Sequence, residues 1–411
     1  MTISVSMTKR TVFVWVATFA LALWSARAAA ADYQVSSAAD FQAALSAPLA
    51  GGDRILLTPG VYAGTFVSSL NGAGTPITIT SAELAFPARI DGSLAFTSGG
   101  WVTVTDLEFF NSNTNRTASG GPDCIDAYVP SIVLLHNVIH DCSASGIGLW
   151  SGAANSVAYG NLIYYVGWNG LARGHGHGMY IQSTAPAWKL IENNIVLNVF
   201  GWGLHSYTEG GHIDNITYRN NTVAMSGSIA DGRLNTNFLT GGLVAALNPV
   251  WDGNVGYYPL GSTGLNGDAG YSAGWTGGSI TNNRFVGGTP LELTNAKPKM
   301  RGNLLVSKAN HPPPLTVVVR PDQYEPGRAV ATVINIGNKP SASVPVAALG
   351  YANGEPVAVV SAEDPFGPVR VFTVVKGAIT LPLTGWTVAS PIGWPAPATT
   401  LPSFGAFVLS R

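Results

Sequence analysis

Side chains able to exchange protons with a substrate are concentrated in the middle of the chain. Five of the seven histidines lie between residues 140 and 212, namely His140, His175, His177, His205 and His212. Tyr180 lies within the same segment, and the carboxylates Asp123 and Asp126 lie shortly before it. Imidazole, phenol and carboxyl groups are the usual general acids and bases of enzymes, so this segment is the first candidate for a site of proton transfer.

Metal chemistry has weaker support in the same residues. His175 and His177 stand two positions apart, but zinc sites take three or four ligands, and no matched third ligand accompanies them. We therefore predict no metal site. Calcium stays open as a cofactor that could neutralise an acidic substrate. Cys124 and Cys142 cannot complete a metal site, and whether they form a disulfide stays open.

A repeat of asparagines organises the elements that must position these side chains. Asparagine followed by a short β-prone run recurs every 20 to 33 residues, at Asn137, Asn161, Asn194, Asn221, Asn254, Asn283 and Asn303. Strands that recur at such spacings are typical of a solenoid, and asparagines stacked at one bend can bond along the stack. A β-propeller would need about 40 residues per blade. The repeat predicts an all-β chain that forms a right-handed parallel β-helix.

Segments before this repeat resemble a known superfamily. Residues 51–62 (GGDRILLTPGVY), 75–80 (TPITIT) and 90–92 (IDG) are similar to the first coils of pectate-lyase-like β-helices, most of all the chondroitinase B and alginate lyase branch. The resemblance covers roughly residues 33–310, with residues 38–45 as a capping helix. It implies the β-helix fold and a carbohydrate-active protein. The Lys and Arg motif of that branch has no match here, so candidate site residues come from the coils themselves.

The sequence predicts a signal peptide, a β-helix, a linker and a C-terminal domain. Residues 1–31 read as a signal peptide, because Lys9 and Arg10 precede a short apolar run that ends in small residues. Cleavage near Asp32 would give a secreted or periplasmic protein without a membrane span. Residues 32–310 are then the β-helix, 311–314 a proline-rich linker, and 315–411 a small all-β domain resembling a sandwich, which could bind carbohydrate or cap the helix.

Charge and composition limit the partners. The chain has 21 basic and 22 acidic residues and a formal net charge of −1. Such a balance provides no positive field for nucleic acid, so we expect no nucleic-acid partner. The expected partner is a polysaccharide, bound by a monomer.

Aligning the coils on the glycine-apolar step of each repeat converts the sequence into columns. One column contains the core residues Ile125, Ile147, Met179, Leu204 and Leu243, and the next, facing outward, contains Asp126, Gly148, Tyr180, His205 and Val244. A second outward column contains Tyr128, Trp150, Gln182, Tyr207 and Ala246. Asp123 and His177 share the column just before the strands. Because coils lie about 4.8 Å apart, Tyr180 and His205 are predicted neighbours, with Asp126 two coils from Tyr180.

Long insertions in alternate coils should form walls beside this face and carry Arg173, His175 and Arg233. Cleavage of a uronate glycan by β-elimination needs a carboxylate clamp, a base and an acid. We assign Arg173 or Ca²⁺ as the clamp, His205 or His177 as the base, and Tyr180 as the acid. The expected substrate-binding residues are Asp123, Asp126, Trp150, Tyr207, Tyr128, Gln182, His175 and Arg233. Two alternatives stay open: a glycoside hydrolase using Asp123 and Asp126, and a non-catalytic glycan-binding or cell-surface β-helix.

Overall fold

The computed structural model describes residues 30–117, 121–170, 176–230, 235–308 and 314–411. The chain forms the predicted right-handed parallel β-helix followed by an antiparallel β region. Nearly all of the predicted signal peptide (residues 1–29) and residues 311–313 of the predicted linker lie outside the described residues. No helix within the described ranges is long and apolar enough to cross a membrane.

The predicted capping helix is confirmed at Ala38–Ala44. It begins where the Ser37 side chain accepts a hydrogen bond from the amide of Asp40, an arrangement that satisfies one of the free amides of a first turn. Phe41 is fully buried and packs against the rings of Tyr62 and Phe66 in the first coils. The helix therefore covers apolar side chains at the beginning of the solenoid.

Each coil of the solenoid contributes strands to three parallel faces. The first face consists of Asp32–Val35, Arg54–Leu57, Ile77–Ser81, Val102–Thr105, Ile132–Leu135, Ser156–Tyr159, Lys189–Glu192, Ile216–Arg219, Val250–Asp252, Ser279–Thr281 and Lys299–Arg301. The second consists of Glu108–Phe110, Val138–His140, Leu162–Tyr164, Ile195–Leu197, Thr222–Ala224, Val255–Tyr257, Arg284–Val286 and Leu304–Val306. The third consists of Ile125–Ala127, Ile147–Leu149, Met179–Ile181, Leu204–Ser206, Thr236–Gly242, Leu265–Tyr271 and Thr289–Leu293. Val61–Ser68 and Arg89–Phe96 run through both later faces, and Ala246–Leu247 pairs with Trp275–Thr276.

The asparagine repeat forms a ladder at the corner between the first and second faces. The side-chain amide of each asparagine donates to the side-chain oxygen of the next, for example from Asn194 to Asn221 at 3.0 Å and from Asn221 to Asn254 at 3.0 Å. The residue before each asparagine has a positive φ, as in Asn193 (56°) and Gly253 (68°). Asparagine and glycine tolerate that conformation, which explains why a two-residue corner recurs in the sequence.

The predicted core column is confirmed for four coils. Ile125, Ile147, Met179 and Leu204 pair in consecutive strands of the third face, and each is fully buried. Stacked aliphatic side chains of this kind fill the interior of the solenoid. Their register also fixes the residues that follow them on the outer side of the sheet.

The predicted fifth member of the core column, Leu243, was wrong. Leu204 pairs with Phe238, which is fully buried, whereas Leu243 is 58 % exposed. Gly242 is the last residue of its strand, and a Cβ there would lie 2.3 Å from the carbonyl oxygen of Thr208. Val244 and Ala246 therefore do not occupy the outward columns. The residue beside His205 is Leu239.

The C-terminal region is an antiparallel sandwich of a larger and a smaller sheet. The larger contains Thr316–Pro321, Ala329–Ile334, Phe404–Ser410, Pro356–Ser361 and Arg370–Thr373, the smaller contains Ser341–Pro345 and Ala378–Pro382, and a 3-10 turn spans Ala347–Leu349. The larger sheet lies along the second face of the solenoid, where the rings of Tyr257 and Phe404 stack with centroids 4.6 Å apart. His136 and Asp322 form a buried contact of 2.8 Å across the same boundary. The two regions thus share a hydrophobic cluster.

Candidate active site

Aromatic side chains line the outer side of the third face. This aromatic row consists of Tyr128, Trp150, Tyr180, His205, Tyr207 and Tyr271, each with a ring centroid 5.1 to 5.8 Å from the next. Tyr128 is 46 % exposed and Tyr271 is 44 % exposed, and the row crosses six strands, or roughly 24 Å at 4.8 Å per coil. Such a surface can hold an extended ligand with apolar ring faces.

The predicted neighbours Tyr180 and His205 are brought together at the centre of the row. Their strands pair directly, and their rings meet edge to face with centroids 5.2 Å apart. Tyr180 is partly exposed, and its hydroxyl donates to the carbonyl oxygen of Tyr207 at 3.1 Å. His205 faces outward from the sheet but is only 3 % exposed, because neighbouring rings pack around it.

Two further rings complete this cluster. His177 and Trp202 each have a ring centroid within 4.3 Å of that of His205. The backbone amide of Trp202 donates to Nδ1 of His177 at 3.2 Å. The neutral imidazole of His177 therefore carries its proton on Nε2, and this side chain presents a hydrogen-bond donor rather than a base.

The carboxyl groups of Asp123 and Asp126 meet above Gly148 and share a hydrogen bond. The amide of Ser145 donates to Asp123 at 2.7 Å, and the indole of Trp150 donates to Asp126 at 2.6 Å. A Cβ at Gly148 would lie 2.4 Å from Asp126 Oδ1 and 2.9 Å from Asp123 Oδ2. Only glycine leaves the room in which the two carboxyls converge.

Burial makes this carboxyl pair hold a proton. Burial, followed by the charge of Asp126, raises the pKa of Asp123 to about 8. Burial also raises the pKa of Asp126, against the hydrogen bonds it accepts. At neutral pH the pair therefore retains one proton and carries about one negative charge, since two adjacent carboxyls resist double ionisation.

Other predicted residues have different placements. Gln182 is partly exposed and donates to the carbonyl oxygen of Tyr207 at 3.4 Å, so it supports the same backbone group as Tyr180. His140 belongs to the second face, where it contacts Glu108 and Asp141. Arg173, His175 and Arg233 lie outside the described residues.

Three residues near the row were missed from the sequence. Trp202 precedes its strand by the same two positions as Asp123 and His177, so the column alignment contained the signal. Asp268 follows Leu239 in the column of His205. Burial raises the pKa of Asp268 to about 6. The sequence alignment missed this residue because it placed Gly242 at the start of its strand. Lys189 lies inside the solenoid, donates to the carbonyl oxygens of Trp150 and Gln182, and has its pKa lowered to about 7 by burial.

Cys124 and Cys142 form a disulfide, with Cα atoms 5.5 Å apart. The bond ties the residue before the strand Ile125–Ala127 to the turn after Val138–His140, and thus holds the chain beside Asp123. Across the described ranges, no group of three or more His, Cys, Asp or Glu side chains is arranged to hold a metal ion.

Comparison with known proteins finds a likeness to solved structures alone. No family model matches the chain, and no curated protein matches it. Among solved structures, pectate lyase Pel9A is 16 % identical over 69 % of this chain and 79 % of its own, with a TM-score of 0.44. An alginate lyase from Paenibacillus sp. str. FPU-7 is 18 % identical over 67 % and 99 %, with a TM-score of 0.38. The catalytic unit of a GH87 alpha-1,3-glucanase from Streptomyces thermodiastaticus is 14 % identical over 70 % and 72 %, with a TM-score of 0.35.

Proposed function

We propose that this protein is a secreted carbohydrate-active β-helix that cleaves a uronate-containing polysaccharide by β-elimination. The observation that supports this most is the contact of Tyr180 with His205 in the middle of an aromatic row whose two ends are exposed. A rigid row of rings suits the repeated apolar faces of a sugar chain, and a phenol beside an imidazole suits proton transfer at one of those sugars. The disulfide is compatible with export to an oxidising compartment.

The roles follow from hydrogen bonding. His205 is proposed as the base that removes the proton on C5, and Tyr180 as the acid that protonates the departing oxygen. His177 accepts a hydrogen bond from the amide of Trp202 through Nδ1 and is 1 % exposed, so in this proposal it positions the ring of His205 instead of acting as a base. Arg173 or a calcium ion stays as the proposed partner of the uronate carboxylate, and Arg233 stays as a proposed substrate-binding residue.

Hydrolysis is the second candidate, and the carboxyl pair favours it. A carboxyl group that is protonated at neutral pH can act as a general acid toward a glycosidic oxygen. Asp123 and Asp126, however, hydrogen-bond to each other, whereas glycoside hydrolases separate their two carboxyls by roughly 5 to 9.5 Å. The pair supplies an acid but not the opposing carboxylate, so elimination is the better-supported reaction.

A panel of uronate-containing and neutral polysaccharides tests the proposal. Ultraviolet absorbance of the unsaturated product and the release of reducing ends are followed together. Elimination raises both signals and hydrolysis raises only reducing ends. A protein that only binds glycan raises neither but is retarded in a gel containing the polymer. Release of reducing ends without absorbance would replace the lyase with the hydrolase.

A further inference from the structure

Tyr128 and Trp150 form a platform of two stacked rings at one end of the aromatic row. Their ring planes are nearly parallel, with an interplanar angle of 2°, and the centroids lie 5.8 Å apart, so the rings stack with an offset. Each residue directly follows a strand of the third face, and the amide of Trp150 donates to the carbonyl oxygen of Ala127 at 3.1 Å. Tyr128 is 46 % exposed and Trp150 is partly exposed. The platform is therefore an accessible aromatic surface attached to a rigid sheet.

Trp150 is held from two directions. Its carbonyl oxygen accepts a hydrogen bond from the buried ammonium of Lys189 at 2.7 Å, and its indole donates to Asp126 at 2.6 Å. These contacts fix both the backbone and the ring, so a ligand meets a preorganised surface and loses little affinity to the ordering of the side chain.

The polar groups beside the platform determine which sugar fits. Asp123 and Asp126 carry a shared negative charge, and within the described ranges neither makes a salt bridge to Lys or Arg. Carboxyl oxygens accept hydrogen bonds from sugar hydroxyls and repel a sugar carboxylate. For charges ~5 Å apart at a partly exposed site, this repulsion corresponds to roughly a tenfold or greater loss of affinity after screening.

We propose that the platform of Tyr128 and Trp150, with the carboxyl pair beside it, binds a neutral sugar that adjoins the cleaved uronate. The inference rests on the proposed function, because the platform lies one coil from Tyr180 and a chain along the row brings adjoining sugars to both. The preferred substrate is thus a heteropolysaccharide in which a neutral sugar neighbours the uronate, and not a homopolymer of uronates.

Gly148 allows this subsite to be disturbed without changing any group that touches the ligand. A Cβ at this position would lie 2.4 Å from Asp126 Oδ1 and 2.8 Å from the indole nitrogen of Trp150. Gly148→Ala therefore displaces the carboxyl pair and the platform together. Gly210→Ala is the matched control, since a Cβ there meets nothing within 4 Å.

The experiment measures binding by calorimetry in a Tyr180→Phe background, so that turnover does not interfere. The two probes are an unsulfated chondroitin hexasaccharide, in which a uronate alternates with a neutral amide sugar, and a hexamer of galacturonate. We expect about tenfold tighter binding of the alternating probe. The double variant Asp123→Asn with Asp126→Asn should bring the ratio of affinities close to one, and Gly148→Ala should weaken binding of the alternating probe about tenfold. Gly210→Ala should match its parent, and thermal melting checks that each variant is folded.

An unchanged ratio in the double variant, tighter binding of the galacturonate hexamer, or no binding of the alternating probe would overturn the inference. Failure of the lyase proposal has a different signature. In that case no polymer yields unsaturated product with the unmodified protein, while the preference between the two probes persists. Equally fast cleavage of homopolymeric and alternating glycans would contradict the neutral-sugar subsite but would still support the lyase proposal.

Discussion

Replacing Asp123 with asparagine removes one of the two carboxyls above Gly148 and should change how stability depends on pH. The pKa of Asp123 is about 8 in the folded chain, against 3.8 for an ordinary aspartate. A raised folded pKa means that the folded protein binds more protons than the unfolded chain between those values. The stability that the proton contributes is complete below about pH 4 and is lost as the pH rises through about 8.

The size of the effect follows from the same difference. At 1.36 kcal/mol for each tenfold change in proton affinity, the pair contributes at most roughly 6 kcal/mol that is present in acid and absent in alkali. The Asp123→Asn side chain can still accept from Ser145 through oxygen and can donate to Asp126 through nitrogen. The variant therefore keeps the hydrogen bonds of Asp123 but lacks the carboxyl proton that dissociates as the pH rises.

Denaturant unfolding at pH 5 and pH 8.5, with an intermediate point at pH 6, provides the assay. The unmodified protein should lose several kcal/mol of unfolding free energy between the two conditions, and Asp123→Asn should lose clearly less. Asp268→Asn is the matched control. The pKa of Asp268 is raised only to about 6, so this variant should alter the loss below pH 6 and leave the loss between pH 6 and 8.5 unchanged. Equal pH dependence in the Asp123→Asn variant and the unmodified protein would refute the shared proton.

Other predictions concern the row and the ladder. His205→Ala and Tyr180→Phe should each lower turnover of a cleaved polymer about 10²-fold or more, measured by ultraviolet absorbance, and near-normal rates in both would reject their roles in proton transfer. Trp150→Ala should raise KM severalfold more than it lowers kcat, because a platform contacts ground and transition states alike; an effect on kcat alone would contradict that role. Asn221→Ala should reduce the unfolding free energy by about 3 kcal/mol or more, measured by denaturant titration, since it removes the buried hydrogen bonds that the Asn221 side chain makes with Asn194, Asn254 and the carbonyl oxygen of Ile191. A loss below 1 kcal/mol would show that the ladder contributes little.

Much of the architecture was predictable because it repeats. The polar ladder requires asparagine in every coil, and the corner before it requires a residue that tolerates positive φ, so both leave a periodic trace in the sequence. Core columns are equally regular, which is why Ile147 and Met179 were aligned correctly. The contact of Tyr180 with His205 followed directly from that register.

The prediction failed where glycine has more than one use. Glycine opens the strands that begin near Met179 and Leu204, but Gly242 closes its strand against the Thr208 backbone. Glycine thus marks the start of some strands and the end of another. Because the alignment placed Gly242 at the start of its strand, it did not place Asp268 in the column of His205. The contact between Asp123 and Asp126 depends on the space above Gly148. The aligned sequence does not contain this three-dimensional property, so it could not predict the contact.

The two corners that flank the second face differ in how much change they accept. From residue 106 onward the corner before it consists of two residues, as at His136–Asn137 and Asn193–Asn194, because the ladder and the left-handed residue leave no room for a third. The corner after it varies in length, from two residues at 287–288 to seven residues at 258–264. The solenoid therefore tolerates changes of loop length at the corner after the second face but not at the corner before it. Loops taken from other coils could be grafted onto the corner after the second face to build new clefts. A residue inserted at the corner before it would interrupt the asparagine ladder.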